Sequence, residues 1–134
     1  MTYLLDTHVF LWLLGRPERI RPDLLEHLRS GETALLLSAA SSWEIAIKWT
    51  VGRLPLPRPP ADYVPDRMRR LGITGLAVSH AHALRTAALP PHHRDPFDRL
   101  LVAQAQADDL PIVTVDRAFE AYDVQTIDAA VRGA

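Results

Sequence analysis

The 134-residue chain contains no cysteine, which excludes disulfide bonds and metal sites built from thiolates. Only one of its 15 Lys and Arg residues is a lysine, Lys48, and such an arginine bias favours bidentate contacts to phosphate or carboxylate groups. The formal net charge of −1 indicates neither a nucleic-acid nor a membrane partner. No apolar run approaches the roughly 20 residues of a membrane span, and no signal-peptide pattern is visible. These absences favour a cytoplasmic protein.

The remaining composition is that of a globular protein, with 48% apolar and 23% charged residues. The length fits a single domain, residues 1–134. The predicted strands are Tyr3–Leu5, Thr33–Leu37, Ile73–Val78, Pro111–Val115 and Val124–Ile127. The predicted helices are Thr7–Leu14, Pro22–Ser30, Ala39–Trp49, Ala61–Leu71, Ser79–Ala88, Pro96–Ala107 and Arg117–Tyr122. Because short, continuously apolar strands alternate with helices, the pattern predicts an α/β fold whose parallel sheet is covered on both faces.

Two acidic residues follow predicted strands directly. Asp6 comes after the first strand, and Asp116 comes after the strand PIVTV. In open parallel sheets the carboxyl edge is where ligands bind, so these two side chains are candidates for one shared crevice. Each could instead be the N-cap of the helix that follows it, which is the commoner role for a single Asp at a strand-to-helix turn.

Two further candidates lie in predicted helices. Glu44 is set in the apolar stretch AASSWEIAI, where a solvated side chain is not expected; alternatively it pairs with Lys48 at i,i+4. Asp98 occupies the third position of a helix that Pro96 begins. Asp95 precedes that proline and is a good N-cap. Since an acidic residue at the third position also suits the helix dipole, capping alone would explain both Asp95 and Asp98.

The acidic candidates gain weight when they are considered together. The predicted topology brings at least three of the four to one side of the sheet, where like charges repel. Such a cluster is costly to bury unless a cation neutralises it. A ligand set of carboxylate oxygens without cysteine suits Mg²⁺ or Mn²⁺ rather than Zn²⁺.

Four sequence runs give a resemblance to a known family. LLDTHVFLWLL, SAASSWEIAIK, DPFDRLLVAQA and VTVDRAFEAY are similar, in order, to the four acidic motifs of PIN-domain nucleases, most of all the VapC-type toxins of toxin–antitoxin modules. The family's acidic positions fall on Asp6, Glu44, Asp98 and Asp116, and its hydroxyl positions fall on Thr7 and Thr114. Asp95 belongs to a DPFDR pattern found in a subgroup.

The resemblance implies a compact α/β/α sandwich and Mg²⁺- or Mn²⁺-dependent cleavage of RNA. On this basis Asp6, Asp98 and Asp116 would bind the metal directly or through water, and Glu44 would orient a metal-bound water or complete a second metal site. Thr7 and Thr114 would support these ligands through hydrogen bonds. It further implies a cognate antitoxin and a toxin homodimer. Val9, Phe10, Trp12, Trp43 and Trp49 could supply apolar surface for both partners, or could simply be core.

Basic residues outnumber acidic ones between Ile45 and Gly72, which makes this segment a candidate surface for the RNA backbone or, alternatively, an ordinary solvated helix face. Its cations are Lys48, Arg53, Arg58, Arg67, Arg69 and Arg70, against Asp62 and Asp66. Arg94 and Arg99 flank the acidic pair. Arg99 could contact the scissile phosphate, an acidic group of the antitoxin, or Asp95. His92 and His93 precede Asp95 and are more simply interpreted as solvated than as catalytic.

Two other functions compete with a nuclease. A domain phosphorylated on aspartate also gathers carboxylates at strand ends, but receiver domains add an acidic pair after the first strand and a late lysine. Here Asp6 has no acidic neighbour and no lysine follows Lys48, so this hypothesis is weak. A catalytically inactive PIN-like module that only binds protein or RNA is the stronger alternative, and the four intact acidic positions argue against it.

Overall fold

The computed structural model describes residues 1–92 and 95–131, and all helix and strand bounds refer to these ranges. The strands are β1 (Thr2–Leu5), β2 (Ala34–Ser38), β3 (Ile73–Leu76), β4 (Ile112–Thr114) and β5 (Thr126–Asp128). The helices are α1 (Thr7–Gly15), α2 (Pro22–Arg29), α3 (Ala39–Thr50), α4 (Pro60–Leu71), α5 (His80–Arg85) and α6 (Pro96–Asp108). Three short 3₁₀ helices span Pro17–Arg19, Thr86–Ala88 and Arg117–Ala121. Within these two ranges, no helix combines the length and apolar character that crossing a membrane requires.

The five strands form one parallel sheet in the order β3-β2-β1-β4-β5. Leu5 at the end of β1 is level with Leu37 of β2 and with Val113 of β4. From β1 the chain moves outward through β2 and β3, and then returns to β4 on the opposite side of β1. The carboxyl ends of β1 and β4 therefore flank the point where the strand order reverses, which is the usual ligand site of such sheets.

Helices cover both faces of the sheet, because successive strand residues point to opposite sides. Tyr3 and Leu5 belong to a buried cluster with residues of α1 to α4, whereas Leu4 packs with α6 and the last 3₁₀ helix. This arrangement confirms the predicted α/β/α sandwich. Val9 and Phe10 are fully buried, so the alternative that they belong to the core is confirmed for these two, while Trp43 and Trp49 are exposed.

Two predicted helices differ in length or type. The segment predicted as Ser79–Ala88 is helix α5 followed by a 3₁₀ turn, and Ser79 is its N-cap in a capping box with His82. Pro90 disfavours helical backbone at Leu89, which is extended in the structure and ends the segment. The segment predicted as Arg117–Tyr122 is a 3₁₀ helix that ends at Ala121.

Candidate active site

Asp6 lies immediately after β1 and is buried, with 3% of its surface exposed. It stands at the N-cap position of α1, yet its side chain makes no capping hydrogen bond within the described helix. Its Oδ2 instead accepts a hydrogen bond from Thr114 Oγ1 at 2.7 Å. Burial raises the pKa of Asp6 above its usual value, and the Thr114 hydrogen bond partly opposes that shift. The capping interpretation of Asp6 is therefore wrong.

Thr114 connects the two acidic residues at the strand ends. The Oγ1 that donates to Asp6 also accepts a hydrogen bond from the backbone N–H of Asp116 at 3.0 Å. Asp116 is exposed, and its Oδ1 accepts from the Ala118 N–H at 2.9 Å, so it caps the last 3₁₀ helix. One buried hydroxyl thus fixes the spacing between the ends of β1 and β4.

Thr7 and Ser41 tie helix α1 to helix α3. Thr7 Oγ1 donates to Ser41 Oγ at 2.9 Å, and both side chains are buried. Ser38 is the N-cap of helix α3, because its Oγ accepts from the Ala40 N–H at 3.0 Å. Ser41, which is one of two serines between β2 and Glu44, was not identified from the sequence. Its only signal is a small polar residue on the apolar side of a helix.

Glu44 is buried on α3 and forms an ion pair with Lys48, with Nζ and Oε2 separated by 2.8 Å. The sequence left two interpretations open, a buried functional carboxylate and an i,i+4 pair; the structure shows that Glu44 is buried and that the i,i+4 pair forms. Only the Lys48 side chain reaches solvent substantially, at 41% exposure, whereas the Glu44 side chain is 7% exposed. The pair therefore places one cationic head beside an inward-facing carboxylate, unlike a surface salt bridge.

The structure distinguishes Asp95, which caps α6, from Asp98, which lies in the first turn of that helix. Asp95 is the N-cap of α6, because its Oδ1 accepts from the N–H of Phe97 at 2.8 Å and from that of Asp98 at 3.4 Å. Burial, followed by the negative charges of Asp6, Asp95, Glu44 and Asp116, raises the pKa of Asp98 to about 8. The helix cap thus holds Asp98 in the first turn of α6, within electrostatic reach of four other acidic residues.

Arg99 anchors the loop that leads to this helix. Its guanidinium donates to the backbone carbonyl oxygens of Thr86 at 2.7 Å, Pro90 at 3.0 Å and Leu89 at 3.3 Å. These contacts hold Thr86, Leu89 and Pro90 against the first turn of α6. His93 and Arg94, which the sequence places beside the acidic residues, lie outside the described residues.

The basic segment is partly neutralised by a single carboxylate on α4. Asp66 accepts hydrogen bonds from Arg58, Arg67 and Arg70 at 3.0 to 3.3 Å. The hydrogen bond from Arg67 contributes most to lowering the pKa of Asp66 to about 2, and Arg70 adds to it. Arg69 also lies 3.8 Å from Asp66, so four arginines surround this one carboxylate and the charge of the group is net positive.

The acidic residues fit a hard divalent cation better than any other cofactor. Their donors are carboxylate oxygens, and the raised pKa of Asp98 reflects first its burial and then repulsion by the other carboxylates. Among residues 1–92 and 95–131, no three Asp, Glu or His side chains form a ready-made metal cage. Mg²⁺ does not need one, because it retains several waters and takes only one or two protein carboxylates directly.

Comparison with known sequences gives two matches. The model of the PIN domain family matches residues 3–125. Ribonuclease VapC16 from Mycobacterium tuberculosis is 58% identical over 77 residues. That alignment covers 54% of this chain and 55% of the relative, so the chain matches about half the length of this curated protein.

Solved structures with the same fold span nearly the whole chain. VapBC2 from Rickettsia felis, bound to a DNA fragment from its promoter, matches with a TM-score of 0.72 at 14% identity, covering 96% of this chain and 99% of that one. A toxin-antitoxin complex from Klebsiella pneumoniae matches with a TM-score of 0.60 at 18% identity, covering 93% and 95%. At these identities the likeness establishes the fold.

Proposed function

The chain belongs to the PIN domain family, and we propose that it is a Mg²⁺- or Mn²⁺-dependent endoribonuclease that acts as the toxin of a toxin–antitoxin pair. The observation that carries this proposal is a half-buried Asp98 surrounded by other carboxylates at the ligand-binding edge of the sheet, where burial and then the neighbouring negative charges raise its pKa to about 8. A protein gains nothing in stability from collecting like charges there, so a bound cation is the simplest reason for them. The ribonuclease named among its relatives supports RNA as the substrate.

Asp6, Asp98 and Asp116 are the residues that would hold the cation, with Glu44 orienting a bound water or completing a second site. When bound, a divalent cation lowers the pKa of a coordinated water and stabilises charge on the phosphoryl oxygens of RNA. The protein's own contribution is to present the carboxylate oxygens at fixed positions before substrate arrives.

Hydrogen bonds from neighbouring side chains hold those positions. Thr114 donates to Asp6 and accepts from the Asp116 amide, so it orients one carboxylate and fixes the backbone of another. Asp95 caps α6 and sets the direction of the turn that carries Asp98. Lys48 places positive charge beside Glu44, which limits the repulsion that Glu44 exerts on the other carboxylates.

A catalytically inactive binding module is the second candidate function. It would account for the fold and for the named relatives, but it would not explain the buried hydrogen bonds around Asp6. A module that had lost catalysis would have no need to hold a buried, repelled Asp6 against Thr114 at 2.7 Å. We therefore prefer the enzyme.

An antitoxin and a second copy of the chain are proposed as partners. Toxin-antitoxin complexes share the fold, and a groove of about 370 Å³ runs between α1 and the loop before α4. Its lining includes His8, two residues after Asp6, and the apolar residues Leu11, Trp12, Leu54, Leu56 and Tyr63. An antitoxin segment bound there would extend to the acidic site. The homodimer and the cytoplasmic location remain predictions from the sequence.

The activity is tested by incubating the purified chain with single-stranded RNA and mapping new 5′ ends. We expect discrete cleavage sites with Mg²⁺ or Mn²⁺, and intact RNA when EDTA removes the cation. Cleavage that persists unchanged in EDTA would contradict the metal-dependent mechanism. RNA that is bound but never cut with either metal would favour the inactive binding module.

A further inference from the structure

Two aromatic residues stand beside the acidic site, each directly before one of its carboxylates. Trp43 precedes Glu44 on α3, and Phe97 precedes Asp98 at the start of α6. Their rings meet edge to face, with centroids 5.2 Å apart and planes inclined at 80°. The pair therefore spans the two helices that carry Glu44 and Asp98.

Trp43 is largely in solvent, with 58% of its surface exposed. An exposed indole forgoes most of the stabilisation that burial of a large aromatic side chain provides. In a T-shaped contact Phe97 can cover at most one face of the indole, so at least one face of the Trp43 ring makes no contact with Phe97. The contact with Phe97 holds this ring at a defined angle, and a fixed, accessible ring face is suited to stacking.

We propose that Trp43 and Phe97 form a base-stacking platform that binds an unpaired nucleobase of single-stranded RNA next to the scissile phosphate. The inference deepens the proposed function and rests on it. Base–aromatic stacking tolerates any sequence, because every base has a π-face. It also excludes base-paired RNA, whose bases are already stacked on one another.

The position of the pair favours a base over another protein. The acidic site is where the RNA phosphate would be held, and within a nucleotide the base lies only a few ångströms from the backbone. On the side of α3 that carries Trp43, the aromatic ring is at the end near Glu44, whereas the aliphatic residues Ile47 and Val51 follow it toward and just beyond the end of the helix. A second copy of the chain on this surface is the competing occupant.

The test compares Trp43→Leu with Trp49→Leu in an Asp98→Asn background, so that RNA binds without being cut. Trp49 is a matched control, because it lies on the same helix and is 38% exposed. It is six residues after Trp43, so at 3.6 residues per turn it points to a different side of the helix. The probe is a fluorescein-labelled single-stranded oligoribonucleotide of mixed sequence, measured by fluorescence anisotropy with Mg²⁺ present. A hairpin RNA of equal length is measured in parallel.

We expect Trp43→Leu to weaken single-strand binding by about 5- to 100-fold, the effect of losing one stacked base, while Trp49→Leu leaves it within about twofold. Trp43→Phe should retain most of the affinity, and hairpin binding should change little. Equal affinities for the Trp43→Leu and Trp49→Leu proteins would overturn the platform. So would a Trp43→Leu protein that binds RNA normally but loses self-association in analytical ultracentrifugation, which would assign this surface to a second copy.

The experiments distinguish failure of the proposed nuclease function from failure of the stacking platform. Cleavage is measured with the unsubstituted chain, whereas stacking is measured as binding in a background that needs no turnover. A chain that never cuts RNA but binds it through Trp43 would contradict the nuclease and leave the platform supported. A chain that cuts RNA and binds it independently of Trp43 would support the nuclease and contradict the platform.

Discussion

The Asp98→Asn variant is expected to lose RNA cleavage by roughly a thousandfold or more, because a metal-holding carboxylate supplies several kcal/mol of transition-state stabilisation. The substitution keeps the size and shape of the side chain and removes the carboxylate that would hold the metal. Burial and then the surrounding negative charges raise the pKa of Asp98 to about 8, and a neutral amide avoids both costs of ionisation, so folding should be unharmed. Single-turnover cleavage with saturating Mg²⁺ gives the rate, and circular dichroism confirms the fold.

Asp95→Asn is the matched control for this prediction. It removes the same charge three residues earlier in the chain, and asparagine caps a helix about as well as aspartate. The Asp95 carboxylate accepts the N–H groups of Phe97 and Asp98, and an amide oxygen can accept both. We expect less than about a tenfold change in cleavage rate. Loss of activity as complete as that of Asp98→Asn would place Asp95 among the catalytic residues.

The stability of the metal-free protein should fall as the pH rises, by an amount that depends on Asp98. Because its folded-state pKa is about 8 and its ordinary value is 3.8, the folded protein retains a proton there that the unfolded chain has released. The free energy of unfolding contributed by Asp98 is therefore highest below about pH 4 and declines until about pH 8. Solvent screening at this partly exposed carboxyl limits the decline to about 2 kcal/mol.

Urea denaturation in EDTA at pH 5 and pH 8 measures this decline. The Asp98→Asn protein has no carboxyl group at this position to titrate, so its stability lacks this decline with pH. The free energy of unfolding of the variant, relative to that of the unsubstituted protein, should therefore increase between pH 5 and pH 8. Comparing the two proteins cancels the titration of groups that they share. A difference that stays constant between pH 5 and pH 8 would show that the pKa of Asp98 is not raised in the folded protein.

The fold followed from the sequence because its determinants are local. Continuous apolar runs such as Leu35–Leu37 mark strands buried on both faces, and Asp95–Pro96 marks the start of a helix. The strand-to-helix turns then place Asp6 and Asp116 at one edge of the sheet, whatever the details of packing. What the pattern cannot give is the strand order, which places β1 beside β4 and so brings these two turns together.

The roles of individual side chains depend on contacts between distant residues, and here sequence patterns were less informative. Capping and chemistry look identical at Asp6, and only the hydrogen bond from Thr114, 108 positions away, separates them. Arg99 illustrates the same limit, since its guanidinium donates hydrogen bonds to three backbone carbonyls of the preceding segment, which the sequence did not indicate. The pairing of Trp43 with Phe97 likewise arises from the packing of α3 on α6.

The central claim is that the acidic edge of the sheet is a divalent-cation site centred on Asp98, and isothermal titration of Mn²⁺ into the metal-free protein tests it most directly. The account predicts saturable binding to the unsubstituted protein and to Asp95→Asn, and affinity at least about tenfold weaker for Asp98→Asn. Equal Mn²⁺ affinity in Asp98→Asn and Asp95→Asn, or no binding to the unsubstituted protein, would contradict it.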